Sequence, residues 1–326
     1  MTAGRDPEQF TTTGWPWRPG NAFWLLADNG RFFDRMLEAI AAATASVLLE
    51  MYLVSSGALA SRFIEALGAA ARRGVRVCVV FDGFGSLGLS RQDRRRLREA
   101  GVQLLFFNHL SLAKRMDNLL RDHRKLLVVD GRIAFVGGAG LTDEFAPGTR
   151  GRPWRDQMVQ IEGPVVADWQ RAFARTWRRC GGELALNAQP ACTMQPQDAL
   201  GRLALSEARQ RSVLANGVMR RIDCAATRAW IMSAYFVPSR RFRKALRRAA
   251  RRGVDVRLLV PGARTDHPPS MLYDIRHHLR TEIDFLGGAI AREAARINHP
   301  APLHTALYRL IRGKEDSWTF KPKGTT

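Results

Sequence analysis

His123-Arg124-Lys125-Leu126-Leu127-Val128-Val129-Asp130, with Gly131 directly behind it and the pair Gly137-Gly138 further on, organises the reading of this 326-residue sequence. Lys125 to Val129 has the apolar, β-branched character of a strand, and Asp130-Gly131 closes it with a turn signal. On a strand, His123 and Lys125 are i and i+2, so both side chains project from one face. An imidazole beside an ammonium, with a carboxylate shortly after, suits a group that holds a phosphate while attacking or protonating it. An isolated His-x-Lys is most often a surface pair in front of a core strand. The full spacing, from the histidine through Asp130 to the two glycines, is much harder to produce by chance.

Outward from this stretch, strands and helices alternate. Gly30 to Ala43 reads as a helix, with Phe33, Met36, Leu37 and Ile40 at helical spacing. Val47 to Val54 reads as a strand, and Ser61 to Arg73 as an amphipathic helix stopped by Gly74. Val75 to Asp82 is a further strand, Arg91 to Ala100 a basic helix closed by Gly101, and Val102 to Phe107 another strand. The alternation predicts an α/β fold with a mixed or largely parallel sheet.

The second half repeats the scheme. Ala71-Arg72-Arg73-Gly74-Val75-Arg76-Val77 recurs as Ala250-Arg251-Arg252-Gly253-Val254-Asp255-Val256, each at a helix-to-strand junction. Tyr52 has a counterpart at Tyr235, in the strand-like run from Ala229 to Val237. An offset of about 180 residues suits two similar lobes rather than a solenoid. The expected organisation is a tail over 1–20, a first lobe over 21–180, a Gly/Asn/Gln/Pro-containing connector over 181–200 and a second lobe over 201–326. By the same offset, His304 is the counterpart of His123, but Ala306 stands at the lysine position and Ile311 at the aspartate position. Thr281 to Leu286 reads as a possible strand.

The formal net charge is +21, dominated by arginine. Such a field favours polyanions, either nucleic acid or an anionic lipid surface, or else reflects solvated helix faces. Cys78, Cys180, Cys192 and Cys224 are scattered without metal-ligand spacing, which fits a reducing compartment. His277, His278 and His299 also lack such spacing. The N-terminus shows no signal-peptide pattern and no apolar run approaches the ~18 residues that span a bilayer. Any membrane association is expected to be peripheral.

The central motif, together with Glu50 and Tyr52, Ala70 to Val75, Asp82 and Gly85, Trp154-Arg155-Asp156 and Ser233 to Pro238, resembles the phospholipase D superfamily, whose signature is the HKD motif, and within it the bacterial cardiolipin synthases. The resemblance runs from about residue 22 to about 273. It implies two similar α/β lobes, each a mixed, mostly parallel sheet flanked by helices, with the active site at the lobe interface. It further implies His123 and His304 as catalytic histidines, Lys125 as phosphate ligand and Asp130 as the acid that orients the imidazole. Glu50, Tyr52, Gly137, Gly138 and Tyr235 are expected to bind substrate. In the family one histidine forms a phosphohistidine and the other protonates the departing alkoxide; no metal or other cofactor is implied, because cationic side chains carry the phosphate charge.

The expected partners are anionic phospholipids, a phosphatidylglycerol-like donor and acceptor, with nucleic acid as the lesser alternative. The expected location is cytoplasmic, on the inner face of the bacterial cell membrane. Two departures stand out: Gly140 occupies the place of an asparagine, and after about residue 274 the second lobe reads as degenerate, truncated or frame-shifted. The three functions to separate are a phosphatidyltransferase of cardiolipin-synthase type, a hydrolase or nuclease using water as acceptor, and an inactive homologue that binds anionic lipid or nucleic acid.

Overall fold

The structure is a computed structural model and describes residues 15–109, 121–148, 153–185, 198–205, 212–233, 236, 238–260, 275–276, 278, 280–284, 287–296, 298 and 301–318. They fall into two compact units that divide at Leu203/Ala204.

The first unit is built on one eight-stranded sheet. Its strands are β1 (Arg18–Leu26), β2 (Ser46–Met51), β3 (Arg76–Asp82), β4 (Gln103–Phe107), β5 (Lys125–Val129), β6 (Ile133–Gly137), β7 (Met158–Glu162) and β8 (Ala199–Gly201), in the spatial order β4-β3-β2-β5-β6-β7-β1-β8. β2, β3 and β4 run parallel, because each is joined to the next through a crossover helix: α2 (Ala58–Arg72) and α3 (Arg91–Glu99). β5 and β6 pair antiparallel, as the tight Asp130-Gly131 connection requires, and β7 pairs antiparallel with β6. Both residues of that turn have positive φ, 52° and 64°, which Asp-Gly adopts at low cost. β1 begins at Arg18, inside the stretch expected to be a tail, because Arg18 to Leu26 supplies the strand between β7 and β8.

Strand alternation divides the core into two layers. Val47, Leu49 and Met51 of β2 point with Val77, Val79, Leu127 and Val129 towards α1 (Asn29–Ala41) and α2, meeting Phe33, Met36 and Phe63. Leu48, Cys78, Val80, Leu126 and Val128 point the other way, onto Phe173 and Trp177 of α4 (Val166–Arg179). Each fully buried phenylalanine or leucine contributes about 1.5–3 kcal/mol. This three-layer arrangement covers both faces of the central strands, as parallel strands demand.

The second unit carries α5 (Ser212–Cys224), β9 (Arg228–Met232), α6 (Arg240–Arg251) and β10 (Asp255–Leu259), with β9 and β10 parallel. Its hydrogen bonding copies that of the first unit. Gly74 and Gly253 have φ of 87° and 84°, and Val75 N–H and Val254 N–H each donate 3.2 Å back to Ala70 and Ala249. Arg73 donates to carbonyls at the end of α1, those of Ile40 and Ala41, and Arg252 does the same for α5 at Ile222 and Ala225. The repeated heptad is therefore a repeated junction.

Beyond β10 the described residues are helical. Glu282–Asp284 is a 3-10 turn rather than the expected strand, and α7 (Gly287–Arg296) and α8 (Pro302–Ser317) follow. The buried Glu315 carboxylate fixes this end, accepting from Thr281 N–H and Oγ1, both at 2.7 Å. No helix among the described residues is long and apolar enough to cross a membrane.

Candidate active site

His123 and Lys125 of the central motif, with Gly137-Gly138, gather at one edge of the first unit's sheet. The carboxyl ends of β2, β3 and β6 meet the starts of β5 and β7 there, so that Tyr52, Asp82, Gly137-Gly138, His123-Lys125 and Asp156 come from five separate strand ends. Ligand sites in open α/β sheets form at such edges because the loops converge where the strand backbones stop.

His123 remains exposed to solvent, and its imidazole lies on the Tyr52 ring with centroids 3.9 Å apart and planes 21° from parallel. Lys125 comes from the same face: its Nζ donates to the His123 carbonyl at 2.9 Å and stands 5.1 Å from the centre of the Tyr52 ring. One tyrosine therefore backs both groups. Desolvation lowers the imidazole below its ordinary value, and the charges of Lys125 and Arg121 add to this; Asp82 and Asp122 oppose it. The balance favours the neutral, nucleophilic imidazole. Desolvation also lowers Lys125, against the attraction of Asp156, Asp122 and Asp82.

Two buried carboxyl groups grip the chain on either side of His123. Asp82, fully buried at the end of β3, accepts from Phe84 N–H at 2.9 Å and Gly85 N–H at 3.0 Å with one oxygen, and from Asp122 N–H at 2.9 Å with the other. Arg121 pairs with the same carboxylate at 3.5 Å. Gly85 has no side chain because a Cβ there would strike the Tyr52 carbonyl.

Glu50 is the second group. It points to the α4 side of β2, and alternation sends Arg124 to that side while His123 and Lys125 go to the other. Arg124 Nη1 donates to both Glu50 oxygens at 2.8 and 2.9 Å and to Thr176 Oγ1 of α4 at 3.2 Å. Burial pushes the Glu50 carboxyl well above the usual carboxylate range; Arg124 opposes this, and the neighbouring Asp122, which shares a hydrogen bond with it, reinforces it. Glu50 thus underlies the site from behind and does not reach the face that carries His123.

Asp130 requires a correction. It was expected to orient the imidazole, but it lies beyond the opposite end of β5, whose five residues alone span roughly 16 Å at strand rise. Its carboxylate accepts from the N–H groups of Thr44, Ala45 and Ser46 at 2.8–2.9 Å and from Thr44 Oγ1 at 3.0 Å. Desolvation opposes ionisation, yet those bonds hold the group below the usual carboxylate range. Asp130 ties the β5 turn to the entry of β2.

The remaining expected residues divide. Gly137 and Gly138 lie at the site edge, where a Cβ would collide with Gln157 and Met158 in one case and with the Asp156 carboxylate in the other. Gly140, in place of an asparagine, abuts Leu53, whose carbonyl oxygen would lie 2.7 Å from an added Cβ. His304 is an exposed residue in the first turn of α8, with Ala306 and Ile311 on the same helix, whereas His123 leads into a strand. Tyr235 falls outside the described residues. Asp82, Asp122, Arg124 and Asp156 were not singled out for the site from sequence. The available signal was Arg124 itself, which alternation directs into an apolar layer where β2 offers one acid. Among the described residues, no cluster of three or more His, Cys, Asp or Glu is arranged to hold a metal ion.

Comparison with known proteins agrees with this geometry. Residues 36–177 match the family described as cardiolipin synthase, PLD-like domain. Residues 190–315 match a second description, the C-terminal part of ketopantoate reductase PanE/ApbA. Cardiolipin synthase A of Pseudomonas aeruginosa strain LESB58 is 36% identical over 260 residues, covering 77% of this chain and 52% of that protein. Its counterpart in Pseudomonas putida strain W619 is 35% identical over 254 residues, with 77% and 53% covered. The chain spans about half the length of these curated relatives. An alignment over 77% of the chain extends well past residue 203, so it includes part of the second unit and overlaps the ketopantoate reductase match. The α5–β10 junction itself repeats that of the first unit. The crystal structure of phosphatidylserine synthase from Haemophilus influenzae Rd KW20 shares the fold, with a TM-score of 0.57 at 11% identity, over 89% of this chain and 73% of that one. Residues 36–177 thus carry the PLD-like domain of cardiolipin synthase, and over 77% of its length the chain is similar to the bacterial cardiolipin synthases.

Proposed function

We propose that this chain is a phosphatidyltransferase of cardiolipin-synthase type. The observation that carries the reading is the pairing of His123 and Lys125 over Tyr52 at the open edge of a cardiolipin-synthase-like domain. The neutral imidazole attacks the phosphorus of a phospholipid phosphodiester, forming a P–N bond as the P–O bond to the leaving alcohol breaks. Lys125 offsets the charge that gathers on the phosphoryl oxygens. A second acid protonates the departing alkoxide, and we assign that role to His304. The acceptor, the hydroxyl of phosphatidylglycerol or a related alcohol, then attacks the phosphohistidine, losing its proton to the same base and freeing His123. Tyr52 and the Gly137-Gly138 edge line the path of the headgroup. The reaction takes place at the surface of an anionic membrane.

The test uses vesicles of labelled phosphatidylglycerol and the purified full chain. Cardiolipin with release of glycerol supports the proposal; phosphatidic acid would make water the acceptor and the protein a hydrolase. No turnover of any phosphodiester, including DNA, would leave an inactive homologue.

A further inference from the structure

Seven of the twelve residues of α6 are Arg or Lys and none is acidic. The helix packs through Ala245, Leu246 and Ala249. At 100° per residue, Arg240, Lys244, Arg247 and Arg251 form the middle of the opposite face, bordered by Arg241, Arg243 and Arg248. All seven are exposed. Among the described residues, the ion pair found for this stripe joins Arg248 to Asp223 at 2.8 Å.

The fold does not call for this charge. α2 holds the equivalent place in the first unit, before the same glycine junction, and its fifteen residues carry Arg62 and Arg72 against Glu65. In α6, by contrast, 240/244, 243/247, 244/248 and 247/251 are like-charged pairs at i,i+4, each unfavourable to an isolated helix. Arg240 and Arg241 also stand at the positive end of the helix dipole. Such a stripe raises the energy of the free protein and lowers it against a dense array of anions. With no apolar side chain in its middle, it rests on a surface and does not insert. Its length of roughly 18 Å spans several lipid headgroups.

We propose that the exposed face of α6 is the docking surface of this protein for an anionic bilayer. The proposal rests on the reading of the chain as a phospholipid-transforming enzyme. It deepens that reading by naming the element that brings the protein to its substrate.

The experiment compares three full-length proteins: the wild type, the variant R240Q/K244Q/R247Q/R251Q, and a control that removes equal charge elsewhere, R91Q/R95Q/R98Q/R178Q. Glutamine keeps helix propensity close to that of Arg and Lys, and circular dichroism verifies folding. Binding is measured by co-sedimentation with vesicles of phosphatidylglycerol in phosphatidylcholine at physiological salt, with pure phosphatidylcholine as blank. The expected result is salt-sensitive binding that falls roughly 1,000-fold in the α6 variant and only a few-fold in the control. Equal losses in both variants would overturn the proposal, since the charge would then act diffusely. It would also be overturned by no binding of the wild type, or by an α6 variant that keeps vesicle binding while losing duplex DNA. Turnover of a short-chain, monomeric phospholipid separates the two readings. Its absence in a wild type that binds vesicles through α6 refutes the catalytic proposal and leaves the docking surface standing.

Discussion

Replacing Glu50 tests how the buried side of the site is charged. Glu50 is 0% exposed, and Arg124, which contacts both its oxygens, keeps only 16% of its side chain in solvent. Glu50, Asp122 and Arg124 place two carboxyl groups and one cation together, so a proton on Glu50 leaves the cluster neutral. Burial favours that state, in line with the upward push on Glu50. Glu50→Ala removes both carboxylate contacts of a largely buried guanidinium and opens a cavity, and breaking such a pair costs about 3–5 kcal/mol. For a unit of this size, at roughly 2–4 °C per kcal/mol, that is a fall in melting temperature of about 10 °C. Glu50→Gln keeps an acceptor for Arg124 and offers a donor to Asp122, reproducing the protonated acid, and should cost about 1 kcal/mol or less. The assay is thermal unfolding of the three proteins as a function of pH. Because the native state holds the Glu50 proton more tightly than the unfolded chain, wild-type stability from this group is full below about 4.3 and declines as pH rises from there towards the raised native value. The glutamine variant should lose that slope. If Glu50→Gln is as damaging as Glu50→Ala at neutral pH, Glu50 is ionised and the account of a protonated Glu50 is wrong.

The other predictions concern the open face and the far end of β5. His123→Ala should abolish phosphodiester turnover in the labelled-lipid assay without altering the melting temperature by more than a degree or two. Since desolvation and Lys125 lower the imidazole, the acid limb of the pH–rate profile should have its midpoint below about 6.5; a midpoint above that value would contradict the electrostatics of the site. Tyr52→Leu removes the ring behind both groups and should reduce the rate up to about tenfold, the upper worth of an aromatic contact, as read from single-turnover kinetics. Asp130→Ala should act on stability, by about 2–3 kcal/mol, while the surviving folded fraction keeps its rate per molecule. Because the native Asp130 value is depressed, its contribution is present above the usual aspartate range and is lost as pH falls from there through the lower native value.

Much of the first unit was legible because its signals are local. The strand from Lys125 to Val129, the helix stops at Gly74 and Gly101 and the Asp130-Gly131 turn all follow from short-range patterns, and the structure has each of them. The heptad shared by 71–77 and 250–256 was legible for the same reason: it is one junction used twice. His123 and Lys125 were legible as a pair because a strand's two-residue period puts them on one face.

What only the tertiary structure decided is where each acid ends up. Asp130 follows the histidine in sequence at a fixed spacing, yet five residues of extended chain carry it to the far edge of the sheet. Asp82, forty-one positions before His123, arrives near it because β3 runs parallel to β2 and β5 antiparallel, so the end of β3 and the start of β5 share an edge. Likewise, spacing alone equates His304 with His123, but Pro302 starts a helix through the segment, and the histidine stands on its first turn. Local sequence determined the elements and the chemistry they carry. Strand order determined the neighbours, because a sheet brings together residues that share an edge, not residues that share a motif.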